Sequence, residues 1–220
     1  PYTTLFRSPC RSAAVFAMTP GSTPDGFPGG RLAARGELRK ALVERRLAMP
    51  MEQWQRHCEA ICAHLHAGFR QLAAMPVAFC WPLRREPDLR PAIDRWRAEG
   101  HPGFAALLPV VIDEDSALGF RAWSSTTAMF ADRYGIPTPA DGDFLRPQAL
   151  LLPVNAFDAA GYRLGYGGGY FDRTLAGLAP RPLVIGVGFE LARVDSIRPE
   201  AHDQPLDVMV TEAGIFRPVR

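Results

Sequence analysis

Residues 163–173, RLGYGGGYFDR, set four glycines, two tyrosines and a Phe-Asp pair between two arginines. Glycine loses more conformational entropy on folding than any other residue, so such a cluster calls for a local use. Consecutive glycines can turn several backbone N–H groups toward one point and cradle an anion. The residues that follow, YFDRTLAGL, can open a helix whose free first amides and dipole favour negative charge. Phosphate is the ligand this pattern suits; a tight turn is the plainer use of the same residues. A Walker loop would carry Lys-Ser or Lys-Thr after its last glycine, where this chain has Tyr170 and Phe171. The dinucleotide pattern Gly-x-Gly-x-x-Gly also fails, because Tyr170 stands at its third glycine.

Other groups with chemical potential are less specific. The four cysteines, Cys10, Cys58, Cys62 and Cys80, show neither zinc-ribbon nor redox spacing. Cys58, Cys62 and His66 recur at helical spacing and could form a metal face. Trp54, Cys58, Ile61, Leu65, Phe69 and Leu72 make the better apolar stripe, which predicts core packing for Cys58 instead. Arg35 and Arg39, one turn apart, share a helix face.

The elements that must position these groups follow from the hydrophobic pattern. Of the 220 residues, 47% are hydrophobic and 22% charged, which describes a globular chain with a large core. The formal charge of +2 argues against a surface that coats a polyanion, so no nucleic-acid partner is expected. No apolar run approaches a membrane span, so no membrane partner is expected either. RLAARGELRKALVERRLAM reads as a helix that Pro50 ends, and MEQWQRHCEAICAHLHAGFRQL as a second. VAFCW and FAALLPVV read as buried strands, with a helix between them that Asp88 caps and Gly100 ends. LGFRAW alternates as a half-exposed strand, and YGIPTP is a proline-stiffened connection. ALLLPVNAF, the glycine loop with its helix, and LVIGVGF then make a strand–loop–helix–strand unit, and LDVMVTEAGIF supplies a last strand. Strands alternating with helices predict an α/β fold around a mainly parallel sheet, with the glycine loop at its carboxyl end.

The first residues stand apart. PYTTLFRS, residues 1–8, resembles a translated sequencing adapter, and Met18 is a plausible start. Residues 9–30, rich in Pro, Gly, Ser and Arg, show no periodicity and are expected to be disordered. Their basic, acid-poor composition also has the look of an organellar transit peptide. Residues 1–30 are therefore read as a leader and residues 31–220 as one domain.

Residues 35–211 resemble the 5-formyltetrahydrofolate cyclo-ligase family, also called methenyltetrahydrofolate synthetase. The strongest stretch is LLPVNAFDAAGYRLGYGGGYFDRTLA, and ELRKALVERR, WPLRREPD, GIPTP and PLDVMVTEAG follow the family in order. The resemblance implies a Rossmann-like three-layer α/β domain, with a mainly parallel central sheet flanked by helices. It also implies ATP-dependent cyclisation of 5-formyltetrahydrofolate to 5,10-methenyltetrahydrofolate with release of ADP and phosphate. ATP would be the co-substrate and Mg2+ the metal, in a cytoplasmic monomer.

By the same resemblance, Arg163, Leu164, Gly165, Tyr166, Gly167, Gly168, Gly169, Tyr170 and Phe171 form the nucleotide loop. Arg163 and Tyr170 are the expected catalytic residues. Tyr166, Gly167, Gly168, Gly169 and Tyr170 would also face the folate, together with Trp81 and Glu86. Asp172 and Asp207 match the magnesium positions, and Arg39 a nucleotide contact. Arg35, the other expected nucleotide contact, stands where the family usually has lysine.

Each assignment has a simpler structural counterpart. Arg163 could form an ion pair, Asp172 could favour the first turn of its helix, and Asp207 could be a strand-entry residue. Glu86 could pair with Arg84 or Arg85 on a solvated face, and Trp81 could be core. Trp123 and Tyr134 are further aromatic candidates for which core packing is expected. Two other functions share parts of the pattern: another ATP-using or sugar-phosphate enzyme, with no use for Glu86 and Trp81, and a catalytically inactive folate-binding protein.

Overall fold

The computed structural model of the chain describes residues 28–219, with side chains from Ala34 onward. Residues 1–27, most of the expected leader, and Arg220 lie outside the described residues, and the first helix begins three residues ahead of the expected boundary. In chain order the elements are α1 (Pro28–Leu47), α2 (Met51–Gly68), β1 (Pro76–Phe79), α3 (Arg90–Ala98), β2 (Ala105–Val110) and β3 (Gly119–Ala122). Next come β4 (Met129–Ala131), β5 (Pro137–Pro139), β6 (Ala149–Pro153), β7 (Ala156–Phe157) and β8 (Arg163–Leu164). The last are α4 (Tyr170–Gly177), β9 (Leu183–Val187), β10 (Val208–Thr211) and β11 (Gly214–Phe216).

Seven strands form one sheet in the order β11-β10-β9-β6-β1-β2-β3. The inner pairs are all parallel, and only the edge strands β3 and β11 run antiparallel to their neighbours. Side chains that alternate along each strand build a core on each face. Val77 and Phe79 of β1 pack with Ile61 and Leu65 of α2 and with Ile93 and Trp96 of α3. Ala78, between them, faces the opposite core with Leu150, Val184 and Leu175 of α4. Each fully buried Leu, Ile or Phe contributes about 1.5–3 kcal/mol through its removal from water. The result is the expected three-layer α/β domain. The apolar stripe of α2 is also observed, with Cys58, Ile61 and Leu65 buried and Trp54 half-buried.

Three connections differ from the sequence reading. The single strand expected in ALLLPVNAF breaks after Pro153, and Asn155 turns its side chain toward α1. YGIPTP contributes β5, which pairs with β4 as a separate two-stranded ribbon. The last expected strand is a hairpin, β10 and β11, that turns at Gly214 with a φ of +146°.

The chain leaves β1 toward β2 on one side, and β6, β9 and β10 fill the other. Strand order therefore reverses between β1 and β6, and the crevice beyond their carboxyl ends is where such sheets bind ligands. A third small core, Leu42, Ala156, Leu164 and Ile197, lays α1 along this crevice.

Candidate active site

The segment after β1 makes a tight turn at the crevice. Glu86 N–H donates to Leu83 O at 2.8 Å, and Leu83 N–H donates to Glu86 Oε2 at 2.9 Å. Arg84 and Arg85, between them, adopt φ of +46° and +58°. Left-handed backbone at non-glycine residues costs on the order of 1–3 kcal/mol each and persists only where neighbours enforce it. Here Arg46 Nε donates to Arg84 O at 3.0 Å, Trp54 Nε1 donates to Arg85 O at 3.1 Å, and Arg85 Nη1 donates to Leu47 O and Met49 O.

This strained turn drives Glu86 inward, to 2% exposure. Its Oε1 accepts from the Tyr166 hydroxyl at 2.9 Å. Arg46, itself buried, donates to Tyr166 Oη at 3.1 Å and to Asn155 Oδ1 at 2.9 Å. Burial pushes the Glu86 carboxyl above its ordinary value despite the Leu83 amide and Arg46. Burial and the Glu86 carboxylate together raise the Tyr166 phenol to about 12, so it remains a donor at neutral pH.

Glu86 should therefore mark the pH dependence of stability. A carboxyl whose folded pKa is raised binds more proton folded than unfolded between its two pKa values. Stability then falls as pH rises through that window and is level above it. Glu86→Gln lacks this titration, so its stability relative to wild type should climb as pH rises from about 4.3. Urea melts of both proteins across pH 4–8 measure the difference; a difference independent of pH would contradict the raised carboxyl.

On the other wall, α1 carries Arg39, whose Nε donates to Gly165 O at 2.6 Å. A Cβ on Gly167, at φ +98°, would stand 3.4 Å from the Arg39 guanidinium, so glycine lets loop and arginine approach. Gly169, at φ +66°, caps α4 without a side-chain hydrogen bond. The first amides of α4, which have no intrahelical acceptors, thus open beside the exposed Gly165, Gly167 and Gly168. Asp172 in that first turn accepts on Oδ1 from Arg163 Nη2 and from Gln204 N–H, both at 3.0 Å. Arg163 is buried, and its Nη1 donates to Gln204 O at 2.5 Å. Its guanidinium therefore braces the loop against residue 204 instead of lying open to a phosphate.

The structure moves several predicted residues. Arg35 forms a two-point contact with the buried Asp203, at 3.0 and 3.2 Å, and a further ion pair with Glu200 at 3.3 Å. Its charge is used within the fold, between α1 and the segment before β10. Asp207 holds Arg181 through both oxygens, at 2.8 and 2.7 Å, and Oδ2 accepts the Val184 N–H at 2.8 Å. That is the strand-entry role, at the amino end of β9. Glu86 is not on a solvated face, and the exposed Tyr166 covers it. Trp81 is half-buried, with the Arg90 guanidinium 4.9 Å from its ring and Trp123 edge-on at 6.2 Å. Trp123 is core as expected, but Tyr134 is 53% exposed and meets Tyr170.

Arg46 and Asn155 were missed by the sequence reading. Arg35, Arg39, Leu42 and Arg46 lie on one face of α1, a stripe that also signals the crevice wall.

Residues 31–212 match the 5-formyltetrahydrofolate cyclo-ligase family. The 5-formyltetrahydrofolate cyclo-ligase of Escherichia coli K12 is 29% identical over 181 residues, 79% of this chain and 97% of that protein. The protein of the same name from Mycolicibacterium smegmatis is 26% identical over 186 residues, 81% of this chain and 93% of its own. Among solved structures, Aquifex aeolicus 5,10-methenyltetrahydrofolate synthetase superposes with a TM-score of 0.72 at 28% identity, covering 83% of this chain and 92% of that one. The Mycoplasma pneumoniae synthetase, at 19% identity and a TM-score of 0.64, shares the fold over 81% of this chain and 98% of its own.

Proposed function

Since the chain belongs to the 5-formyltetrahydrofolate cyclo-ligase family, we propose that the crevice between β1 and β6 carries out the family reaction by phosphorylating the formyl oxygen. The activity is ATP-dependent cyclisation of 5-formyltetrahydrofolate to 5,10-methenyltetrahydrofolate. The observation that carries the reading is the meeting of two walls at the strand-order reversal: the glycine loop with α4, and the Glu86–Tyr166–Arg46 network.

The N5-formyl group is amide-like, a poor electrophile with a poor leaving group. In the proposed sequence its oxygen attacks the γ-phosphorus of ATP, and ADP leaves. N10 then attacks the activated formyl carbon and loses its proton, while phosphate departs with the former formyl oxygen and the ring closes. Phosphoryl transfer asks a protein mainly for positioning and charge neutralisation. The glycine-loop amides and the start of α4 suit the phosphates. Arg39 supports the loop through Gly165, and Arg163 acts through Asp172. Tyr166, oriented by Glu86 and Arg46, presents its exposed ring to the folate, with Trp81 behind the same turn.

Magnesium that bridges phosphates and keeps several waters needs only one or two carboxylates. Asp172 fits, because both of its hydrogen bonds fall on Oδ1, beside the glycine loop. Asp207 fits poorly, because Arg181 and the Val184 amide engage both of its oxygens. Asp203, next along the chain to Gln204, is compensated by Arg35. When bound, the ion would offset phosphate charge, and Asp172 is the residue that would hold it.

The test mixes pure protein with 5-formyltetrahydrofolate and Mg-ATP and follows the absorbance of the methenyl product. Product should accumulate only when both substrates are present, with one ADP released per ring closed. Absence of product at saturating concentrations of both would overturn the reading.

A further inference from the structure

A second set of residues meets the start of α4 from the ribbon of β4 and β5. Tyr134, at the ribbon tip, places its hydroxyl 2.7 Å from that of Tyr170, with the two rings edge-to-face at 6.2 Å. The tip is stiff. Asp132 Oδ1 accepts the N–H groups of Tyr134 and Ile136, both at 2.8 Å, and Arg121 ties the ribbon to β3 through Pro139 O and Ala140 O. The Arg173 guanidinium stacks 4.9 Å from the Tyr170 ring, and its Nη2 donates to Glu114 O at 3.2 Å. Arg133 stacks 5.6 Å from the Tyr134 ring and pairs with Glu114 Oε2 at 3.1 Å. Two arginines, one from the ribbon and one from α4, thus converge on one residue of the β2–β3 connection.

Core packing does not account for this arrangement, since more than half of Tyr134 is exposed. A tyrosine at the surface normally samples several rotamers, and the half-buried Tyr170 is held to one by its contacts to Tyr134 and Arg173. We infer that Tyr134 is a positioning residue of the reaction: it holds the Tyr170 hydroxyl and ring in one orientation at the mouth of the glycine loop, and so sets the affinity for the folate. The inference rests on the proposed function together with the family resemblance, which has Tyr170 facing the folate at the mouth of the glycine loop. Holding a rotamer before binding removes an entropic cost from the complex, which is worth about three- to tenfold in affinity for one side chain. By the described contacts Tyr134 reaches the loop through the Tyr170 side chain, whereas the phosphates are given to backbone amides of the loop and of α4, so ATP binding should be far less sensitive to it.

A double-mutant cycle with separate kinetics for each substrate tests this. Tyr134→Phe, which keeps the ring and removes the hydroxyl, should raise KM for 5-formyltetrahydrofolate about three- to tenfold. KM for ATP and kcat should remain within about twofold, a split that general loosening of the fold would not give. Tyr170→Phe should raise the folate KM as well, and the double variant should be no worse than the worse single, because both remove one hydrogen bond. Tyr134→Ala should be at least as impaired as Tyr134→Phe. An unchanged folate KM in Tyr134→Phe, equal rises for both substrates, or single effects that multiply in the double variant would overturn the inference while leaving the enzyme reading intact. A wild-type protein that forms no methenyl product would remove both.

Discussion

Asp172→Asn should lower turnover by two orders of magnitude or more in a protein that still folds. Asparagine keeps an Oδ1 that can accept from Arg163 and from the Gln204 amide, so the local connections persist in part. What disappears is the negative charge in the first turn of α4, beside the loop that suits the phosphates. Loss of one well-placed electrostatic group in an active site commonly costs 10²–10³ in rate, about 2.7–4 kcal/mol. Stability should fall by no more than about 1.5–3 kcal/mol, the range for hydrogen bonds to a charged group, because Arg163 is buried and loses its counter-charge. The matched control is Asp207→Asn. Its ion pair with Arg181 is partly exposed, and such pairs are worth about 0–1 kcal/mol. Turnover should therefore change by less than about twofold. Steady-state rates over a magnesium titration decide the matter. A large loss in Asp207→Asn with near-normal rates in Asp172→Asn would reverse the two assignments.

How these two aspartates differ was not legible in the sequence, and the reason is physical. Each stands in a motif that looks the same to a linear reading, a carboxylate near a strand or helix start. Only the pairing of β9 with β10 shows that Asp207 lies level with Val184, at the amino end of the sheet. The partners of Arg35 were hidden in the same way. Its helical spacing from Arg39 is real, but its partners Asp203 and Glu200 are about as far along the chain as contacts can be, and nothing local announces them. The fold was more readable, because hydrophobic period and punctuation are local: Pro50 between two helices, Gly169 before α4, and buried runs for β1, β2, β6 and β9. Short elements escaped for the same cause. The β4–β5 ribbon and the β7–β8 hairpin pair only two or three residues per strand, too few for any alternation to show. Tyr134 was therefore expected in the core, whereas the ribbon carries it out to Tyr170.

Arg46, which no motif singled out, should give the largest stability effect in the crevice. Its guanidinium is buried and makes three hydrogen bonds, to Arg84 O, Asn155 Oδ1 and Tyr166 Oη. It is also a cation whose field holds down the pKa of the buried Glu86. Arg46→Met keeps much of the side-chain volume but removes every one of these interactions. Breaking a buried charge pair from one side typically costs about 3–5 kcal/mol, because the remaining charge stays desolvated. The pH dependence follows with a definite sign. Without Arg46 the Glu86 carboxyl rises further above its unfolded value, so the variant should lose more stability than wild type as pH climbs from 5 to 8. Adding Glu86→Gln to Arg46→Met removes the stranded charge and should restore part of the loss, most of all at pH 8. Arg46→Lys, which retains the charge without the planar fork, should fall between wild type and Arg46→Met. Urea denaturation of the four proteins at pH 5 and pH 8 measures each of these differences. If the Glu86→Gln addition brings no recovery at pH 8, Arg46 acts by bracing Arg84 and Asn155 alone, and charge compensation of Glu86 is not what buries it.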